Sequence, residues 1–354
     1  MSFARHPPYM KAAVLHKPND IKVEEVEIPS INSDEMLVRV KACGICGTDT
    51  RIYYGTKTKG VHYPSVIGHE ISGIVEALGS QVRNFKEGDH VSICPVIPCG
   101  ICYACQRGMD NICMNRTAIG YEYDGGLQEY LRIPGIAIRQ GNIFKVPADI
   151  PFEVSALIEP LACCYNGNRR SQIKLGDTVV IMGAGPIGLM HLQLAKQAGA
   201  TRVIVSEPVE ERLALARELG ADICVNPKTT SLQEVVMQET QGIGADVTLL
   251  AIGIPSLINE AFKITRKQGN INLFAGFSDK GESTIEANLI HYNELNVTGT
   301  ASAAPWHFNE AMKLVISRQI KLDKLITHRF PLEEIDKALK TVVESKGIKV
   351  VVIP

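Results

Sequence analysis

Residues 177–188 read DTVVIMGAGPIG, a short apolar run that turns through three spaced glycines into a new segment. That segment, from Pro186 to Ala198, has helical texture and stops at Gly199. Strand, glycine turn and helix in this order are the opening of a dinucleotide-binding unit. Gly183 permits the tight turn, Gly185 lets the backbone approach a pyrophosphate, and Gly188 lets helix and strand pack closely. Pro186 costs nothing in the first helical turn, where its missing N–H would be unpaired anyway. With Ile187 it completes the motif GAGPIG, whose helix N-terminus offers free amides to phosphate. Glu207 ends the next strand-like run roughly 20 residues on, where a ribose-binding carboxylate belongs. A carboxylate there repels a 2′-phosphate and favours NAD over NADP. Arg212, one turn into the following helix, pulls the other way.

The same rhythm continues outward. TRVIVSE, DICVN, ADVTLLAIG, NINLFAG and LNVTGT are further apolar runs, and VEERLALAREL is a helical stretch between two of them. Six such runs with helices between the earlier ones predict a doubly wound parallel sheet, an α/β fold. Residues 11–150 differ: LVRVKACG, ISGIVEALGS and GDHVSICP are short strand-like runs broken by glycine and proline. They predict a compact, mostly antiparallel unit. After Thr300 come two helical stretches and the strand-like KVVVIP, whose domain the pattern alone leaves open.

Composition narrows the function. The 37 basic and 38 acidic residues nearly cancel, so no charge field points to nucleic acid. No apolar run approaches the roughly 20 residues that span a bilayer. The beginning, MSFARHPPYMKAAVLHKPND, lacks the apolar core of a signal peptide. The expectation is a cytoplasmic protein, without membrane or nucleic-acid partners, whose ten cysteines are thiols and metal ligands rather than disulfides.

Four of those cysteines, Cys99, Cys102, Cys105 and Cys113, form C-x2-C-x2-C-x7-C. Four thiolates so spaced can close a tetrahedron around zinc and leave no position for water, which makes a structural site. A redox pair, buried apolar cysteines and an iron–sulfur cluster are the competing readings. The first three spacings resemble a ferredoxin run, but the fourth cysteine does not fit its C-x3-C-P ending. A zinc ribbon on a nucleic-acid-binding protein is disfavoured, since Arg107 and Asp110 are the only charges between Cys99 and Cys113.

GICGTD (Gly44 to Asp49), GHE (Gly68 to Glu70), the four-cysteine segment, Glu159–Pro160 and GAGPIG occur in this order along the chain. As an ordered set they resemble the zinc-dependent medium-chain dehydrogenases, and within them the polyol (sorbitol-like) and threonine dehydrogenase branch. The resemblance runs from about Lys11 to Pro354. It implies a GroES-like, mostly antiparallel β catalytic domain at 1–158, with 301–354 returning to it, and a Rossmann domain at 159–300. It also implies two zinc ions per chain, one structural and one catalytic, the latter held by Cys46, His69 and Glu70 in a cleft between the domains. NAD, a small polyol-like substrate and a homodimer or homotetramer complete the expectation.

Other residues take roles from the same likeness. Glu159 stands where simple alcohol dehydrogenases carry cysteine and the polyol branch carries glutamate. There it either ligates zinc or holds its water. Thr48 matches the hydroxyl that bonds the reacting oxygen and starts a proton relay. Tyr53 matches a pocket tyrosine of sorbitol dehydrogenases. Cys163 and Cys164, about one helical turn after Glu159, read as packing residues. Two features depart from the pattern. Arg51 replaces a histidine found in many members, threonine dehydrogenases included, which argues against L-threonine and suggests a polyol phosphate as a further alternative. Ser302 and Ala303, in GTASAAPW, replace an Arg-Tyr pair of sorbitol dehydrogenases, so sorbitol is not assigned; Trp306 either lines the pocket or packs. The remaining histidines (His6, His16, His62, His90, His191, His291, His307 and His328) match no motif, and most are expected at the surface or hydrogen-bonded inside.

Overall fold

The computed structural model describes residues 8–277 and 283–354; His6 lies outside them. The chain forms two compact units, one built from 8–162, Ala303–Ile316 and Leu322–Pro354, the other from Cys163–Ser302 and Ser317–Lys321.

The first unit is mostly antiparallel. Its central strand, Met36–Ile45, carries MLVRVKACGI with nearly every residue buried. Such a strand needs partners on both sides. Glu70–Leu78 pairs with it antiparallel on one side, and His90–Ile93 and Ile143–Lys145 extend the sheet outward. On the other side lies Lys349–Ile353, also antiparallel, with Ile326–Pro331 parallel beyond it. The C-terminal run KVVVIP therefore belongs to this unit, a placement that apolar content alone could not decide. A smaller sheet joins Tyr9–Lys17 to Asp20–Glu27 and Ser65–Val66. Ile45, Ile67, Ile71, Ile93 and Leu127 fill the core between these layers.

The four-cysteine segment forms a lobe of two 3-10 turns, Cys105–Arg107 and Asp110–Ile112. Ile101 and Met114 are more than 70% exposed there (79% and 75%). Between Cys99 and Cys113, only Ala104 and Cys113 are buried. A lobe with so little core of its own needs a crosslink or a metal to hold its shape. Trp306 packs onto it, its indole N–H donating to the Gly108 carbonyl at 3.3 Å and its ring tilted 35° to that of His307.

The second unit is a six-stranded parallel sheet. Counted along the chain, its strands lie in the order third, second, first, fourth, fifth, sixth. The first, Thr178–Met182, is central and its last four residues are fully buried; helices cover both faces of such a sheet, hence the unbroken apolar run. Helix Pro186–Gln197 follows, and Gly199 ends it with φ +97°. The fifth strand begins earlier than NINLFAG suggests. It runs Thr265–Leu273, with its register broken between Ala245 and Val247 of the neighbouring strand and Gln268 at φ +57°. The polar residues KQG conceal this bulge, because a bulged strand no longer alternates. His191 also departs from expectation. It is fully buried, edge-on to Phe274 at 4.5 Å, and neither ring nitrogen has a hydrogen-bond partner among the described residues.

Candidate functional site

Cys46 sits at the end of the central strand, where the chain turns into the short helix Gly47–Tyr53. His69 and Glu70 come from the start of the adjacent strand, after Gly68 turns the chain at φ +98°. Antiparallel pairing thus brings together residues more than 20 positions apart. One donor atom from each of Cys46, His69 and Glu70 lies within 4.8 Å of the others.

A buried second layer fixes this group. Asp49, fully buried, accepts from the His69 Nδ1–H at 3.0 Å with one oxygen and from the Cys46 backbone N–H at 2.8 Å with the other. A carboxylate can only accept, so the His69 proton resides on Nδ1 and the Nε2 lone pair is left for a metal. Burial pulls the His69 pKa down, but Asp49, Tyr121 and Cys46 together outweigh it and hold the ring well above its ordinary value. Lys349, only 4% exposed, donates to Glu70 Oε1 at 2.5 Å and to the Ile45 carbonyl at 3.0 Å. Burial disfavours its charge, yet Glu70 keeps its pKa raised. The other carboxylate oxygen, Glu70 Oε2, is buried with no hydrogen-bond partner among the described residues. A Cβ on Gly44 would meet that oxygen at 2.0 Å, so a larger residue there would displace the Glu70 carboxylate. An orphaned carboxylate oxygen beside a thiol and a histidine nitrogen suits a divalent cation of zinc's chemistry.

Tyr121 caps the group, its ring 5.5 Å from that of His69. Burial raises its pKa to about 12; His69 works against this, while Cys46, Asp49 and Glu159 add to it. Glu159 opens the helix Ile158–Arg170, is buried, and acts electrostatically on Tyr121 and Cys94. It stands outside the three-residue donor group. Thr48 Oγ1 accepts from Arg51 Nη2 at 2.9 Å. Tyr53 packs on the core of its unit, and the charged groups around it are Asp336 and Asp20 rather than the donors. Asp49, Tyr121 and Lys349 escaped the sequence reading; Asp49 alone left a signal, as the last letter of GICGTD.

The four lobe cysteines also converge, donor atoms within 4.8 Å of one another. Cys102 Sγ lies 3.6 Å from Cys105 Sγ and 3.7 Å from Cys113 Sγ. Tetrahedral zinc at ~2.3 Å from each sulfur separates them by about 3.8 Å. Backbone N–H donors of Cys105 and Met114 bring the Cys102 thiol down to about 6, which favours the thiolate a metal needs.

In the second unit the glycine turn is equally specific. Gly183 has φ +101°, and a Cβ on Gly188 would lie 1.9 Å from the Gly183 carbonyl oxygen. Nothing lies within 4 Å of a Cβ added to Gly185, the open space a pyrophosphate would take. Pro186 and Ile187 begin the helix, and Cys164 Sγ donates to the Ile187 carbonyl at 3.8 Å. Glu207, 3% exposed, accepts from the Ala184 N–H at 2.8 Å and so rests against the turn. Arg212 is half-buried in the helix Glu210–Glu218.

Two protein-family models match the chain. Residues 32–148 match the alcohol dehydrogenase GroES-like domain, and 186–317 match the zinc-binding dehydrogenase domain. Sorbitol dehydrogenase of Bacillus subtilis is 32% identical over 98% of this chain and 98% of its own. D-arabitol-phosphate dehydrogenase of Enterococcus avium is 34% identical over 93% and 92%. L-threonine 3-dehydrogenase of Bacillus subtilis is 34% identical over 93% and 94%. Among solved structures, a zinc-binding dehydrogenase of Sinorhizobium meliloti bound to NADP superposes with a TM-score of 0.91, at 35% identity over 98% of this chain and 99% of that one. An alcohol dehydrogenase of Escherichia coli complexed with NADH gives 0.89, at 32% over 98% and 100%. No helix among the described residues is long and apolar enough to cross a membrane.

Proposed function

Because this chain belongs to the zinc-dependent medium-chain alcohol dehydrogenase family and is a zinc- and nicotinamide-dependent oxidoreductase, we propose that it oxidises a secondary alcohol of a polyol, sugar alcohol or sugar acid. The observation that carries the reading is the convergence of Cys46, His69 and Glu70 with Asp49 and Lys349 behind them.

In this reading Cys46, His69 and Glu70 hold the catalytic zinc, with Glu159 as a nearby buried carboxylate. The lobe cysteines Cys99, Cys102, Cys105 and Cys113 hold the structural one. A zinc ion held by Cys46, His69 and Glu70 would supply Lewis acidity to the reacting hydroxyl group of the substrate. Thr48 presents its hydroxyl to the reacting oxygen, with one lone pair already engaged by Arg51. A guanidinium has no acceptor, so a proton passed to Thr48 leaves by a route other than Arg51. The Gly183–Gly188 turn receives the pyrophosphate, and the buried Glu207 carboxylate selects an unphosphorylated ribose, hence NAD. Tyr53, packed beside Asp336 and Asp20, has weaker support as a pocket residue. L-threonine is the weaker substrate reading, since Arg51 replaces the expected relay histidine. The edge strand Asn296–Gly299 ends the parallel sheet and supports a homodimer or homotetramer.

The test is NADH formation by the zinc-loaded protein across polyols, sugar acids, their phosphates and L-threonine. Turnover of one polyol or sugar acid, lost in Cys46→Ser, is the expected result. Turnover of threonine alone, or full activity in Cys46→Ser, refutes it.

A further inference from the structure

Several charged side chains on the first unit's surface are paired, among them Arg329 with Glu153, Arg139 with Asp34, and Lys145 with Asp89. Arg51 points its guanidinium at Thr48 Oγ1, and among the described residues no carboxylate lies within 4.0 Å of it or of Lys57. Lys57 is half-buried, its Nζ 4.1 Å from the centre of the Tyr121 ring. That ring in turn lies 5.5 Å from His69. One cation therefore sits one hydrogen bond from Thr48, and the other sits one aromatic ring from a metal-ligating histidine.

We infer that Arg51 and Lys57 form an anion-binding edge beside the donor group, one that takes a phosphate or carboxylate a few carbons from the reacting carbinol. The inference rests on reading Cys46, His69 and Glu70 as the substrate's zinc site. Three features support it. Arg51 keeps free N–H groups in a planar fork suited to a carboxylate or phosphate oxygen pair. Lys57 is held over the Tyr121 face, which orders a flexible cation without neutralising it. Burial lowers the Lys57 pKa, and Arg116, Arg51 and Lys59 add to that, with Glu122 as the opposing carboxylate. Crowded like charges of this kind are relieved by an incoming anion.

Steady-state kinetics of the zinc-loaded enzyme decide the matter, with a pentitol, its terminal phosphate ester and the corresponding aldonic acid as substrates. One anion is expected to exceed the neutral polyol in kcat/KM by about tenfold, an advantage lost mainly through KM in Lys57→Met, which keeps the stem over Tyr121. Preference for the ester identifies phosphate as the partner, and preference for the acid identifies a carboxylate. Equal efficiency on neutral and anionic forms overturns the anion edge but leaves the zinc dehydrogenase reading intact. If none of the three turns over, the polyol reading fails, and calorimetric binding of inorganic phosphate still judges the edge. Binding that disappears in Lys57→Met supports it; no binding, or equal binding by both proteins, overturns it.

Discussion

Replacing Asp49 by asparagine isolates what the second layer contributes to metal binding. The carboxylate presents two acceptors to two donors, the His69 Nδ1–H at 3.0 Å and the Cys46 N–H at 2.8 Å. Asparagine has the same shape but only one acceptor; its NH2 must face one of those N–H groups. Asp49 is fully buried, so water cannot fill the gap. Leaving one buried donor unpaired costs about 1–3 kcal/mol. Losing the carboxylate also lets the His69 ring relax from the orientation in which Asp49 holds it. Zinc affinity at this site is expected to fall about 10- to 100-fold, the usual cost of removing a ligand's orienting partner. Competition with a chromogenic chelator measures it. Zinc taken up by the four lobe cysteines would serve as an internal control, since Asp49 touches none of them. A folded Asp49→Asn protein whose weaker zinc phase stays within about twofold of the original refutes the reasoning, because both hydrogen bonds would then be dispensable.

Three other outcomes follow from the same geometry. His191 is buried with both nitrogens unpartnered, and burial lowers its pKa to about 3 from 6.5, so the fold binds fewer protons than the unfolded chain between those values. Stability from this residue is complete above about pH 6.5 and lost as pH falls; the loss between pH 7 and pH 5 is about 2 kcal/mol, which His191→Leu should abolish in paired urea titrations. Glu207→Ser removes the carboxylate resting against the glycine turn, and the ratio of kcat/KM for NAD over NADP is expected to drop by about tenfold. Cys102→Ser should cost one of the two zinc ions that the two donor groups call for and lower the melting temperature, read by metal analysis and calorimetry.

Much of this protein was legible as local pattern. GAGPIG after an apolar run fixes a strand, a turn and a helix, because the glycines at 183 and 188 answer to constraints set within a few residues of themselves. The closely spaced lobe cysteines announce a metal for the same reason. Local reading faltered where alternation was broken, as in the bulged strand Thr265–Leu273, and where a buried residue looked ordinary, as with His191.

The residues that complete the candidate site were decided by tertiary structure. Lys349 is the first letter of KVVVIP and looks like a surface lysine at a strand end. It becomes the partner of Glu70, 279 positions away, only because the last strand pairs with Met36–Ile45. Tyr121 comes against His69, and Lys57 over that ring, only through folding. Sequence specifies what a segment does with its own backbone. Which distant side chain answers a buried charge depends on strand order and register, and those are settled by burying the whole core at once.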